Sequence, residues 1–273
     1  MQNEKRNLVQ VLYSVKKSRQ KIYFLNAKQE VNGISYEELV NEAKTCLIKY
    51  QQQGLQAKDY VLIQVRDEKK FFITYWACLM GGMIPVLLPF INNKNEFYRL
   101  FNVWQQIQQA WLITDDIKYQ QKLEQYATKI NEPILEDILK KLVNPFELPK
   151  CEGELSEYKL DEQDIALILY SSGSTGEPKG AILTHGSILA NMRSFISALH
   201  LGKEDVSLNW LPNTHIFGLI GFHFIPMFLD INQYQMTTNL FTLNPQLWLS
   251  SVNKYRATYL ATSNTGLKIF RGI

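Results

Sequence analysis

The chain has 273 residues, 46% hydrophobic and 12% aromatic, which suits one large or two ordinary folded domains and excludes a disordered chain. A formal charge of only +3, with no dominant Lys/Arg block, gives nucleic-acid binding no footprint. Residues 1–20 lack the apolar run of a secretion signal, and the cleanest apolar window, Ile216–Leu229, is too short to span a bilayer, so a soluble cytoplasmic protein without a membrane partner is expected.

The early basic residues Lys5, Arg6, Lys16, Lys17, Arg19 and Lys21 are spread out, as on a solvated face. Ile22–Leu25 reads as a strand, separated by a turn at Asn32-Gly33 from a second short strand, Val31–Ser35. Ser35 and Glu38 have capping-box spacing and open a helix expected to run to about Gln53, before Gly54. Tyr60–Val65 is a continuous apolar strand of the doubly covered kind. Glu68–Met80 is a helix with large residues on every side, ended by Gly81-Gly82, and Ile84–Leu88 is the next strand, completing a βαβ unit. A helix over Asn95–Gln109, a strand over Trp111–Thr114 and a helix over Ile117–Ile130 follow. Asn144–Gly153, rich in proline and charge, reads as a surface connection. Ile165–Leu169 is a buried strand, Ala181–Leu183 a second apolar run, and Thr184 or Ser187 can start a helix. Val206–Leu211 is a further strand. The alternation predicts an α/β fold of layered, mostly parallel sheets flanked by helices. The three cysteines, Cys46, Cys78 and Cys151, form neither a CxxC pair nor a histidine cluster, which fits a reducing compartment and leaves no metal-ligand set.

The chemistry concentrates in Ser171, Ser172, Gly173, Ser174, Thr175, Gly176, Glu177, Pro178, Lys179 and Gly180, which hold three glycines, four hydroxyls and one lysine. Glycines let a loop turn its amides towards an anion, hydroxyls add neutral hydrogen bonds, and Lys179 adds positive charge at the exit. That combination suits a polyphosphate. It is not a Walker motif, because no Gly-Lys-Ser/Thr triplet occurs, nor a G-x-G-x-x-G dinucleotide fingerprint. The alternative is a Ser/Gly-rich linker, which would need neither Pro178-Lys179-Gly180 nor apolar runs on both sides. Ser171–Gly180 closely resembles the phosphate-binding loop of the adenylate-forming superfamily, which includes acyl-CoA synthetases, luciferases and peptide-synthetase adenylation domains. Trp76, Gly81, Gly82, Ile84, Pro85 and Val86 resemble a further family stretch.

His215 stands among apolar residues, and the ordinary reading of such a histidine is a satisfied core residue. Trp210, Leu211, Pro212, His215 and Gly218, however, match the family's W-L-P-l-x-H-x-x-G stretch. The resemblance places His215 beside the reacting carboxylate and phosphate, with Phe217, Gly218 and Asn264 against the substrate and Lys179 in a catalytic role. Pro245, Trp248, Leu249, Tyr255, Arg256, Ala257, Thr258 and Asn264 look like fatty acyl-AMP ligases and acyl-loading domains of polyketide/peptide synthetases. Ile216-Phe217 is closer to acyl-CoA synthetases. Ser263 and Thr265 depart from the acyl-loading pattern and put that wall of the acyl pocket in question. Trp248, Leu249 and Tyr255 also read as one buried helix face.

The resemblance implies an α/β subdomain over 50–197, a second from 1–49 plus 205–273, and a further C-terminal domain bearing the catalytic lysine, for which Lys179 and Lys268 are not candidates. The implied reaction is attack of a carboxylate on the α-phosphate of ATP-Mg, then transfer of the acyl group to a carrier-protein thiol or CoA. Residues 1–273 are expected to be the N-terminal portion of such an enzyme and not to complete adenylation alone. Two other classes stay open: a non-catalytic nucleotide-binding or interaction remnant, and an unrelated ATPase or kinase.

Overall fold

A computed structural model describes residues 5–90, 93–107, 109–127, 132–149, 152–171 and 178–271. They pack as two units, Met1–Val40 with His185–Ile273, and Asn41–Thr184.

The second unit is built on a six-stranded sheet. Its strands are β3 (Tyr60–Gln64), β4 (Ile84–Leu87), β5 (Trp111–Thr114), β6 (Leu142–Val143), β7 (Ile165–Ser171) and β8 (Lys179–Thr184), in the order β6-β5-β3-β4-β7-β8. All pairings are parallel except β7–β8. The carboxyl ends of β5, β3, β4 and β7 therefore share one edge, where open α/β sheets present ligand sites. Helix α3 (Glu68–Met80) has Phe71 to Met80 buried throughout, because its residues are large and apolar on all sides. The Asp67 side chain caps it by accepting from Lys70 N–H at 2.9 Å. On the other side, α4 (Lys94–Gln106), α5 (Tyr119–Tyr126) and α6 (Glu132–Lys140) enclose a cluster around Phe97, Leu100, Trp104, Leu112 and Leu123.

Several expected bounds move for local reasons. Helix α4 begins one residue early, where Asn93 and Glu96 form a reciprocal capping box. Helix α5 stops at Tyr126, because Ala127 turns to extended backbone at φ −65° and ψ 144°. Strand β6 and helix α6 were not expected from the sequence.

The other unit has a four-stranded sheet, in the order β2-β1-β10-β9. It comprises β1 (Lys21–Leu25), β2 (Val31–Ser35), β9 (Ser207–Asn209) and β10 (Gln233–Gln235), with only β1–β2 antiparallel. The β1–β2 turn lies at Asn26–Glu30 rather than at Asn32-Gly33, which sits within β2. Asn26 organises it: its side-chain carbonyl accepts from Lys28 and Glu30 N–H, and Gln29 takes φ 58°. Gly33 instead allows Tyr23 to lie close, since a Cβ there would stand 2.9 Å from the Tyr23 ring. Helix α2 (Tyr36–Gln52) starts at the expected box, with Ser35 N–H donating to Glu38 at 2.8 Å and Glu38 N–H to Ser35 Oγ at 3.2 Å.

The division into units differs from the expected ranges at both joins. Residues 41–49 belong with the six-stranded sheet, because Lys49 Nζ donates to the carbonyls of Pro145 and Leu148 and Lys44 pairs with Glu157. Helix α7 (His185–Leu199) belongs with the N-terminal helix α1 (Leu8–Ser14), whose Leu8 N–H donates to His185 Nδ1 at 3.2 Å. No helix among the described residues is long and apolar enough to cross a membrane.

Gly82, at φ 70°, lies beneath the Tyr158 ring, and a Cβ there would stand 2.4 Å from Tyr158 Cγ. Gly82→Ala is expected to lower the melting temperature, with roughly 1–2 kcal/mol lost to the backbone alone and more to the clash. Calorimetry of the purified variant checks this, and an unchanged melt would contradict both the backbone cost and the clash.

Candidate functional site

The Ser/Gly/Thr/Lys run connects β7 to β8. Strand β7 ends at Ser171, which is registered opposite Lys179, and Tyr170 lies opposite Gly180. Ser172, Gly173, Ser174, Thr175, Gly176 and Glu177 lie outside the described residues. The hairpin leaves from the carboxyl edge of the parallel sheet and returns antiparallel along an outer strand. Lys179 is exposed at its exit, free of any carboxylate ion pair among the described residues. Gly180 is needed for close approach, because a Cβ there would stand 3.0 Å from both Ile168 Cγ2 and Tyr170 Cζ.

In the other unit, β9 stops after Asn209, short of the expected Leu211. The Asn209 side chain folds onto Leu211, donating to its carbonyl at 2.9 Å and accepting from its N–H at 2.8 Å. The turn that follows carries His215, whose N–H donates to Pro212 O at 3.0 Å. A π-helix, Phe217–Phe224, begins directly after it, and such wide turns are frequent at functional sites. His215 is exposed. Its Nδ1 faces Phe217 N–H at 3.2 Å, so in the neutral ring Nδ1 accepts and the hydrogen sits on Nε2. The ring then presents an N–H donor outwards.

Gly218 is buried and irreplaceable, since a Cβ would lie 2.2 Å from Pro212 O. Phe217 is 38% exposed and stands edge-on to Phe195 and Phe222, at 6.1 and 6.0 Å between ring centres. Asn264 is exposed at the first position of helix α11 (Asn264–Arg271).

The core histidines are His185 and His223, both fully buried. His223 Nδ1–H donates to Gln233 Oε1 at 3.0 Å, and Gln233 Nε2 donates to Tyr36 Oη at 2.7 Å and to His223 O at 3.2 Å. Burial pushes His223 down to about 4. Helix α10 (Pro245–Tyr255) buries Trp248 at 6% exposure, whereas Leu249 is 52% exposed and leaves the expected buried face. Cys46 and Cys78 are buried free thiols, and burial pushes Cys46 up to about 12. Cys151 lies outside the described residues. Among the described residues no group of three or more His, Cys, Asp or Glu is placed to hold a metal ion.

One unit thus carries a mostly parallel α/β sheet whose strand β7 ends at the carboxyl edge directly before the Gly/Ser/Thr/Lys run, and the other carries a small sheet and the exposed His215. The sequence profile of the AMP-binding enzymes matches residues 13–270, and the chain belongs to that family. A medium-chain fatty-acid acyl-carrier-protein ligase from Moorena producens is 25% identical over 257 residues, covering 93% of this chain and 43% of its own length. The McyG A-PCP structure, complexed with phenylalanyl-adenylate, matches with a TM-score of 0.89 and 27% identity over 100% of this chain and 43% of that one. The adenylation domain of a keto acid-selecting NRPS module, bound to keto acyl adenylate, matches with a TM-score of 0.83 and 25% identity over 94% of this chain and 46% of that one. The chain thus spans less than half the length of these proteins.

Two substitutions separate the histidines. His215→Ala is expected to leave the melting temperature nearly unchanged, whereas His223→Ala breaks a buried network and costs about 1–3 kcal/mol. The pH dependence has a defined sign. His223 falls from an ordinary 6.5 to about 4, so the unfolded chain binds more protons between those values. Its stability contribution is complete above about pH 6.5 and is lost as pH falls towards 4, by up to roughly 3 kcal/mol. Glu68, pushed up to about 7 by burial and by Asp67, runs the opposite way over an overlapping window. The reading is therefore the difference between wild type and His223→Gln in melts from pH 4 to 7, and parallel curves would contradict it.

Proposed function

We propose that this chain holds the nucleotide and the acid in ATP-dependent carboxylate activation. The carboxylate oxygen attacks the α-phosphorus of ATP, an acyl–phosphate anhydride bond forms, and the bond to pyrophosphate breaks. The acyl group then passes to a thiol, that of a carrier protein in a peptide or polyketide assembly line or of CoA. The observation that carries this reading is that β7 ends at the carboxyl edge of a parallel sheet directly before this Ser/Gly/Thr run, with Lys179 exposed at the start of the antiparallel strand that follows it.

The described residues fit a phosphate chain: Lys179 is an exposed cation, and Gly180 brings bare backbone to the turn. Lys179 and the amides and hydroxyls of Ser171–Gly180 are the groups proposed to grip the phosphates. Mg²⁺ would offset their charge. His215, with its hydrogen on Nε2, is proposed to donate to the oxygen that gains charge as the acid and phosphate react. Phe217, Gly218 and Asn264 are proposed to border the acid. A lysine-bearing domain of the kind the resemblance implies is the proposed partner in the chemical step. The buried free thiols suit a reducing, cytoplasmic setting.

The test is binding. ATP with Mg²⁺, and separately an acyl-sulfamoyl adenosine that mimics acyl-AMP, are expected to raise the melting temperature of purified residues 1–273. Lys179→Ala is expected to weaken ATP about 10–100-fold, the loss of one charge-assisted contact, and to weaken the mimic, which lacks the pyrophosphate, far less. A melting temperature unmoved by both ligands at millimolar concentration would overturn the reading.

A further inference from the structure

The chain after α10 returns alongside β9. Thr258 and Tyr259 donate their N–H groups to Val206 O at 2.9 and 3.0 Å, and Leu208 N–H donates to Tyr259 O at 3.2 Å. Tyr259 is thereby held parallel to the sheet edge, and its ring stacks on Phe222 of the π-helix with centres 4.6 Å apart. The residue is only 5% exposed, and its hydroxyl is buried with no hydrogen-bond partner among the described residues.

The π-helix turns a glycine towards that hydroxyl. Gly221 is buried, and a Cβ on it would stand 3.5 Å from Tyr259 Oη and within 4 Å of no other neighbouring group. Room for one methyl-sized group, in ordinary contact with the hydroxyl, therefore lies between helix and hydroxyl among the aromatic rings. Phe217, partly exposed, meets Phe222 edge-on, and Phe222 stacks on Tyr259. An apolar row thus leads from the surface to a single polar atom.

Further unpartnered polar groups follow on the same two segments. Trp210 Nε1 and Thr262 Oγ1 are buried without a partner among the described residues. Both crowd Gly266, where a Cβ would stand 2.2 Å from Thr262 Oγ1 and 2.6 Å from Trp210 Cζ2. Trp210 continues β9, and Thr262 continues the segment of Tyr259. Tyr259 lies alongside the start of β9, opposite Ser207, whereas Trp210 and Thr262 lie further along towards the carboxyl ends of these two neighbouring parallel segments, the side on which sheets of this kind take ligands.

We propose that the acid bound by this chain carries an oxygen acceptor, a hydroxyl or keto group on its acyl chain, and that the Tyr259 hydroxyl in the space beside Gly221 selects it. The proposal rests on the carboxylate-activation reading and adds the class of acid to it. A buried hydroxyl beside a purely hydrocarbon tail stays unpaired, whereas an acceptor oxygen satisfies it, and sites built this way discriminate strongly against analogues lacking the partner atom. Burial pushes the Tyr259 phenol well above its ordinary range, so it remains a neutral donor.

The test uses residues 1–273 and acyl-sulfamoyl adenosines of matched chain length, with and without one hydroxyl or keto oxygen on the acyl chain, by calorimetric titration. At least one oxygenated member is expected to bind about tenfold tighter than its plain parent. Tyr259→Phe is expected to reduce that ratio to about threefold or less. Gly221→Ala guards against a folding artefact. Its methyl has ordinary contact distance from Tyr259, it removes a glycine from a helix interior, and it blocks an incoming oxygen, so it should collapse the ratio without lowering the melting temperature. Plain parents binding as tightly as every oxygenated counterpart would sink the proposal while leaving the carboxylate reading intact. A ratio unchanged in Tyr259→Phe removes Tyr259 from the role. Failure of every mimic to bind overturns both readings.

Discussion

Two glutamine side chains hold the small sheet to the helix that follows His215. A buried carbonyl must be paired, and here Gln235 donates to Phe222 O at 2.9 Å and Gln233 to His223 O at 3.2 Å. Both glutamines are fully buried, two residues apart on one strand, so they reach the same neighbour. Gln235 Oε1 accepts from Asn209 at 3.0 Å, and Asn209 also closes the turn at Leu211. The path from sheet to turn to π-helix is one connected set of amide hydrogen bonds. Breaking one member leaves its partners buried and unpaired, which costs more than the bond itself contributes.

That network explains why part of the fold could not be seen in the sequence. Strand β10 reads Gln-Tyr-Gln, a pattern that period-two reasoning assigns to a solvated edge. Its glutamines are buried because their amides meet helix carbonyls, a pairing set by tertiary structure alone. The π-helix was hidden likewise: Phe217–Phe224 is apolar at every spacing except two glycines and His223. By contrast, Glu68–Met80 between two apolar strands was legible to the residue, because composition, the Asp67 cap and Gly81-Gly82 all agree. Asn32-Gly33 was the misleading signal. A favourable turn dipeptide lost to Asn26, whose side chain builds the turn several residues earlier.

The candidate site divides in the same way. The Gly/Ser/Thr/Lys run could be found from composition, and its place between two strands follows from its apolar flanks. His215 could be picked out only by family resemblance, since nothing in its neighbours separates it from His223. The structure separates them by accessibility: one is exposed, with Nδ1 engaged by the next turn, and the other is fully enclosed. Tyr259 had no signal at all, because an unpaired hydroxyl is a property of the fold.

The two glycines of the π-helix show why residue type underdetermines role. Gly218 and Gly221 are three positions apart, and both are buried. At Gly218 the missing Cβ lets the Pro212 carbonyl come within 2.2 Å of where that atom would be, fixing the turn that bears His215. At Gly221 the same absence leaves room in front of a hydroxyl, with ordinary contact distance on that side only. The first glycine is required by backbone geometry, and any side chain there must displace the turn. The second imposes no such requirement, and in a helix interior it carries a conformational cost that alanine would avoid. A residue that costs stability and is not demanded by packing calls for a reason outside packing. Here that reason is the space it keeps open beside Tyr259.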